Sequence, residues 1–178
     1  MVQRIWICGN SGSGKTTLAR QLGEALQLPV YHRDEITWDD DDNMRTEEEQ
    51  VAMLRDITRQ ERWIFEGARF TAAQTDGRLE RCELIVNLSL NRWLCLTRAL
   101  RRARRQKNDP AIPPARKQPY HWVHIRYCFW DYPNKHRQRA DFFKQAQRRG
   151  IRMVELKRRR HVTAFAQSLM KEQPCSTA

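Results

Sequence analysis

Residues 9–17 read Gly9-Asn10-Ser11-Gly12-Ser13-Gly14-Lys15-Thr16-Thr17, which fits the pattern G-x-x-x-x-G-K-[ST]. A chain that keeps this pattern must curl so that several backbone N–H groups face one anion. Glycines at 9, 12 and 14 permit that, because glycine tolerates positive φ and a close backbone approach. In such a loop Lys15 reaches the β- and γ-phosphates of a nucleotide, and the Thr16 hydroxyl can ligate Mg²⁺. The flanks agree with this reading. Ile5-Trp6-Ile7-Cys8 reads as a buried strand entering the loop, and Leu18, Leu22, Ala25 and Leu26 then recur with helical period. The order strand, loop, helix puts a helix N-terminus against the anion.

The same alternation continues along the chain. A second short strand is expected over 28–32, with Asp34 just beyond it and a polar connection over 35–45. Thr46-Glu47-Glu48-Glu49 has the signature of a helix start, with Val51, Leu54, Ile57 and Thr58 facing inward. Arg62-Trp63-Ile64-Phe65 reads as a third strand ending at Glu66-Gly67. Residues 68–82 read as irregular with a short helix near 78–82, and 84–88 as a fourth strand. A long basic helix starts near Asn91. Prolines at 110, 113, 114 and 119 mark a loop. Two amphipathic helices are expected around 120–131 and 134–149, then a fifth strand over 151–156. Val162, Phe165, Ala166 and Leu169 mark a closing helix. Apolar strands alternating with helices imply a parallel sheet covered on both faces. Ligands of such sheets sit at the carboxyl ends of the strands, and the loop, Asp34 and Glu66 all fall there.

Composition narrows the class. The 178 residues suit one domain with a full core. No run of about 20 apolar residues exists, so no spanning helix is expected. The strand and loop begin almost at Met1, which leaves no room for a signal peptide. The five cysteines (8, 82, 95, 128 and 175) are odd in number and show no C-x-x-C spacing. Reduced thiols in a cytoplasmic protein are the simplest account, and zinc is not expected. Residues 1–91 hold 11 Lys+Arg against 16 Asp+Glu, whereas residues 92–160 hold 21 against 4. A basic half suits nucleic acid and equally suits arginines gathered around a transferring phosphoryl group.

Several segments together resemble a known group. The glycine loop, the segment Glu66-Gly67-x-Arg69 and the arginine-rich helix look like the nucleoside-monophosphate-kinase branch of P-loop proteins, which includes adenylate, shikimate and gluconate kinases. A closer resemblance is to small bacterial adenylate-kinase-related or topology modulation proteins. It rests on His32-x-Asp34-x-x-x-Trp38, Arg62-Trp63-Ile64-x-x-Gly67, Arg92-Trp93-Leu94-x-x-x-Arg98 and Trp130-x-Tyr132-Pro133. The ending of strand, Arg158-Arg159-Arg160 and helix also matches. The resemblance covers nearly the whole chain. It implies a three-layer α/β P-loop NTPase fold, with a five-stranded parallel sheet, helices on both faces and a helical lid. Residues 1–178 form one domain in this reading. Its core is 1–92 and 150–172, its acceptor-binding region about 33–60 and its basic lid about 98–119.

The candidate groups then take roles. Residues Gly9 to Thr17 (Gly9, Asn10, Ser11, Gly12, Ser13, Gly14, Lys15, Thr16, Thr17) would hold ATP, with Lys15 as its central cation. Thr16 and Glu66 would hold Mg²⁺, Glu66 partly through water. Adenylate kinases usually carry Asp at that strand end, one methylene shorter. Asp34 would orient or deprotonate the acceptor, with a turn-capping acid as the plainer reading. His32 would either orient Asp34 or serve structure alone. Trp38 and Arg69 join Asp34 as the expected acceptor contacts, Arg69 by resemblance. Arg98, Arg102 and Arg105 share a helix face that could clamp phosphates, or be a solvated basic face. The resemblance puts Arg158–Arg160 near the nucleotide base. Trp122, Tyr127, Phe129, Trp130 and Tyr132 lie among His121, His124 and Arg126, and read as a helix core face or as a stacking surface. The run Asp39–Asp42 lacks calcium-ligand spacing; lining the acceptor pocket, it would repel a nucleotide phosphate.

The leading expectation is a monomeric, Mg²⁺-dependent, ATP-using kinase acting on a small-molecule hydroxyl or phosphate acceptor. The alternatives are a nucleotide-gated DNA- or RNA-binding protein and a kinase acting on a nucleic-acid end.

Overall fold

The computed structural model describes residues 2–41, 43–67, 70, 73, 75–107, 125–132 and 136–172. Five parallel strands form one sheet: β1 (Arg4–Gly9), β2 (Val30–His32), β3 (Trp63–Glu66), β4 (Leu84–Leu88) and β5 (Arg152–Leu156), in the order β2-β3-β1-β4-β5. The central strand β1 is an apolar run because both its faces are covered. Ile5 and Ile7 face one layer, Trp6 and Cys8 the other, and all are fully buried.

On the Ile5/Ile7 face pack α1 (Lys15–Leu26) and the closing helix α7 (Arg159–Glu172), through Leu18, Leu22, Ala166 and Leu169. The opposite face receives α2 (Arg33–Thr37), α3 (Glu47–Arg59), α4 (Arg78–Arg81) and α6 (His136–Arg148). Their contributions include Ile36, Leu54, Ile57, Leu79 and Phe142. The three-layer α/β sandwich and its five-stranded parallel sheet are therefore as the sequence implied. The long helix α5 (Arg92–Lys107) buries Cys95, Leu96, Ala99 and Ala103.

Some boundaries differ from expectation. Residues 35–37, expected to open the polar connection over 35–45, belong instead to α2, entered directly from β2, whose His32 backbone N–H donates to Glu35 Oε2 at 3.3 Å. Asp34 thus sits in a helix's first turn, not in a loop. The Arg158–Arg160 run follows β5 as expected, with Arg159 and Arg160 already in α7. Around 120–131, the described part includes a π-helical turn over Tyr127–Asp131 in place of regular helix. The proline-rich loop, Asp42, Arg69, His121, Trp122 and His124 lie outside the described residues. No helix among the described residues is long and apolar enough to cross a membrane.

An ion pair is buried under the sheet. Arg78 and Asp76 are both fully buried, and Arg78 Nη2 donates to Asp76 Oδ2 at 2.7 Å. The guanidinium lies 4.4 Å from the Trp6 ring centroid and 4.7 Å from that of Phe65. Aromatic faces attract such a cation, which compensates part of the cost of taking it out of water.

Candidate active site

The glycine loop has the conformation its sequence requires. Gly12 and Gly14 lie at φ 73° and 94°, and Gly9 at φ 145°. Gly12 also has no room for a side chain: a Cβ there would stand 2.1 Å from the Cys95 carbonyl oxygen of α5. Asn10, itself buried, accepts from the Ser11 N–H through Oδ1 at 2.8 Å and holds the bend. α1 begins at Lys15 with no side-chain cap and no acidic residue in its first turn. Its first N–H groups have no intrahelical acceptor, so they are available to an anion.

Lys15 Nζ donates to the Asn10 carbonyl at 3.0 Å and stands 3.9 Å from Glu66 Oε1. Burial pushes its ammonium below the ordinary lysine range; Glu66 opposes this and Arg102 adds to it. Glu66, at the end of β3, is itself buried. Its Oε2 accepts from Thr16 Oγ1 at 3.1 Å and lies 3.2 Å from His32 Nδ1. Because the Thr16 hydroxyl points its proton at Glu66, its lone pairs are left for a metal. A hydroxyl and a carboxylate side by side are oxygen donors that suit Mg²⁺. Among the described residues no three His, Cys, Asp or Glu could hold a metal by themselves. A magnesium ion at this pair would therefore need phosphate and water oxygens to complete its shell.

These groups line one cleft of ≈ 780 Å³. Asp34 lines it, exposed, from α2, with Glu35 beside it. Arg98 and Arg102 line it from α5, and Gln106 continues that row. Arg159, Val162 and Thr163 line it from the start of α7, with Leu90 nearby in the same wall. Arg105, expected on the clamp face, is exposed and is not in the lining; a spacing of four per turn selects Gln106 instead. Trp38 is also not in the lining. It pairs with Met44 in an antiparallel bridge, and its loop is pinned by Arg45 Nη1, which donates to the Trp38 and Glu35 carbonyls. Asp39 caps this turn, accepting from Asn43 N–H at 2.7 Å. That backbone hydrogen bond pulls its carboxyl below the usual range.

Sequence reasoning missed His32 as a partner of Glu66, offering only Asp34 or a structural role for it. The missing signal is strand register: β2 and β3 are parallel neighbours with His32 opposite Glu66, and register is not written in local sequence.

Comparison with known proteins agrees with this geometry. Residues 4–72 match the model of the phosphoribulokinase / uridine kinase family. No curated protein sequence matches the chain. Among solved structures, shikimate kinase from Bacteroides thetaiotaomicron superposes with TM-score 0.59 at 18% identity, covering 97% of this chain and 98% of that one. Shikimate kinase from Acinetobacter baumannii, solved with shikimate, gives TM-score 0.57 at 18% identity over 98% and 96%. Shikimate kinase from Aquifex aeolicus gives 0.53 at 16% over 98% and 99%. Identities this low establish the fold and nothing finer. The chain thus has the three-layer P-loop fold that these kinases share, and its family match spans the segment from β1 through β3 that carries the glycine loop and Glu66.

Proposed function

We propose that the protein is a Mg²⁺-dependent kinase that transfers the γ-phosphoryl group of ATP to a small-molecule acceptor. The observation that carries this reading is the convergence of Lys15, Thr16 and Glu66 at the glycine loop, in the same cleft as Asp34. Lys15 is a cation held out of water with incomplete compensation, which is the state a phosphate relieves. Magnesium held by Thr16 and Glu66 would neutralise the β- and γ-phosphates. Arg98 and Arg102 lie along the cleft wall, placed to bear on charge that develops during transfer. Asp34 would align the acceptor hydroxyl or take its proton. Little covalent help is asked of the protein; its task is positioning and charge stabilisation.

The acceptor end carries Asp34 and Glu35, which favours a neutral or cationic hydroxyl compound over a phosphorylated one. Trp38 keeps its expected acceptor role only if acceptor binding brings it to the cleft; Arg69, expected there by resemblance, lies outside the described residues. The test is ATP binding and acceptor-stimulated ATP turnover in wild type and Lys15→Ala. Turnover should fall about 100-fold or more. Equal ATP affinity and equal turnover in the two proteins sink the reading.

One observation favours a second reading, nucleic-acid binding. α5 contains no acidic residue, and none of its arginines joins an ion pair among the described residues. Trp93 and Trp130 are exposed nearby, and Trp93 stacks edge-on against Phe129 at 4.5 Å. A backbone-phosphate binder loses affinity steeply with salt. Absence of binding to single strands and duplex at low salt removes this reading.

A further inference from the structure

We propose that His32 is a positioning residue that holds the Glu66 carboxylate for the metal. The inference deepens the kinase reading and rests on Glu66 serving Mg²⁺.

Glu66 Oε2 is held from two sides. Thr16 Oγ1 donates to it at 3.1 Å, and His32 Nδ1 lies 3.2 Å away. A carboxylate only accepts, so the pair requires the proton on Nδ1, which fixes the imidazole tautomer. Oε1 accepts no hydrogen bond among the described residues and faces the Lys15 ammonium at 3.9 Å. One oxygen is thus anchored and the other is left for a metal-bound water. The contact is not a matter of one rotamer. His32 and Glu66 are opposite each other in the β2–β3 register, and Ile7 is opposite Glu66 in the β1–β3 register. The sheet brings the imidazole, the carboxylate and the strand that enters the glycine loop side by side. Both side chains are mostly buried, at 15% and 11% exposure. A glutamate has one more torsion than an aspartate, so without a second contact its carboxylate would sample several positions. Partners that orient a metal's ligands in this way typically change metal affinity by about 10–100-fold when removed.

The test is Mn²⁺ binding to the protein–ADP complex, followed by electron paramagnetic resonance, in wild type, His32→Leu and His32→Asn. Affinity for ADP without metal is measured on the same samples. Asparagine can place an N–H donor near the Nδ1 position; leucine cannot. His32→Leu should weaken Mn²⁺ binding by about tenfold or more, His32→Asn should recover most of that, and metal-free ADP affinity should not change. Wild-type Mn²⁺ affinity in His32→Leu overturns the proposal. So does an Asn variant as weak as the Leu variant, or a metal-free ADP affinity that falls in step, since either marks a merely structural side chain. Glu66→Gln separates the two levels. If it binds Mn²⁺ as wild type does, the reading of Glu66 as the metal carboxylate fails and this proposal falls with it. If only Glu66→Gln weakens binding, the fault lies with His32 alone.

Discussion

Asp76 has its side chain fully out of solvent beside Arg78, and both depend on each other. Asp76→Ala should cost about 3–5 kcal/mol, because it strands a buried guanidinium. That is about a fifth or more of a typical domain's total stability. The double change Asp76→Leu with Arg78→Met should cost much less, since no charge is then left unpaired. Urea unfolding of both variants measures the difference; equal losses would mean that volume, not charge, governs the site. This pair could not be read from sequence. An acid two residues before an arginine looks like an ordinary solvated turn, and only the packing of Trp6 and Phe65 over Arg78 reveals otherwise. The glycine loop is the opposite case. Its chemistry is local, so Gly12, Lys15 and Thr16 announce it by spacing alone. His32 and Glu66 fall between: each was visible as a polar residue at a strand end, but their contact spans 34 positions.

Among the elements, α3 was the most legible, because its start signal is a reciprocal hydrogen-bond pattern. Thr46 Oγ1 accepts from Glu49 N–H at 3.3 Å, and Glu49 Oε2 accepts from Thr46 N–H at 2.7 Å. Thr46→Ala removes half of that pattern. It should cost about 1 kcal/mol, read as a lower urea midpoint with an unchanged slope. An unchanged midpoint would show that neighbouring contacts alone hold the helix start. α2 was missed for a physical reason. Its five residues are too few to display helical period, and its start is set by the end of β2 rather than by its own sequence. The arginines of α5 were legible as a helical face, but their periodicity left the phase open. Burial of Cys95, Ala99 and Ala103 decides it, and it sends Arg98, Arg102 and Gln106 into the cleft.

For the molecule as a whole, the buried thiols set a dependence on alkaline pH. Burial raises both Cys8 and Cys82 to about 12, above their ordinary value near 8.5. Between those values the unfolded chain has lost protons that the folded chain keeps. Stability supplied by these groups is therefore full below about pH 8.5 and drains away as pH rises toward 12, by up to about 1.4 kcal/mol per thiol per pH unit. Thermal melts of wild type and a Cys8→Ala/Cys82→Ala variant from pH 7 to 11 check this. The variant should start less stable and lose stability less steeply; parallel curves would refute it. The three-layer architecture itself was legible because apolar strands and amphipathic helices alternate over the whole length. The unequal charge of the two halves also takes on a spatial meaning. Acidic α2 and basic α5 line the same cleft, so the imbalance along the chain becomes a field across it.

That field has a fixed mounting. Gly12 is pressed against the Cys95 carbonyl with no side chain between loop and helix, and the Ala99 backbone nitrogen would also lie within 3.1 Å of a Cβ there. The first turns of α5 are thus seated on the phosphate cradle like a lever on its fulcrum. Arg98 stands beside that pivot and Arg102 one turn further out. Rigid-body geometry alone means that a rotation of α5 about this contact would displace Arg98 least and Lys107 most. The distance of each cleft-lining side chain of α5 from the glycine loop is thus set by its place along one helix that is anchored at the loop end.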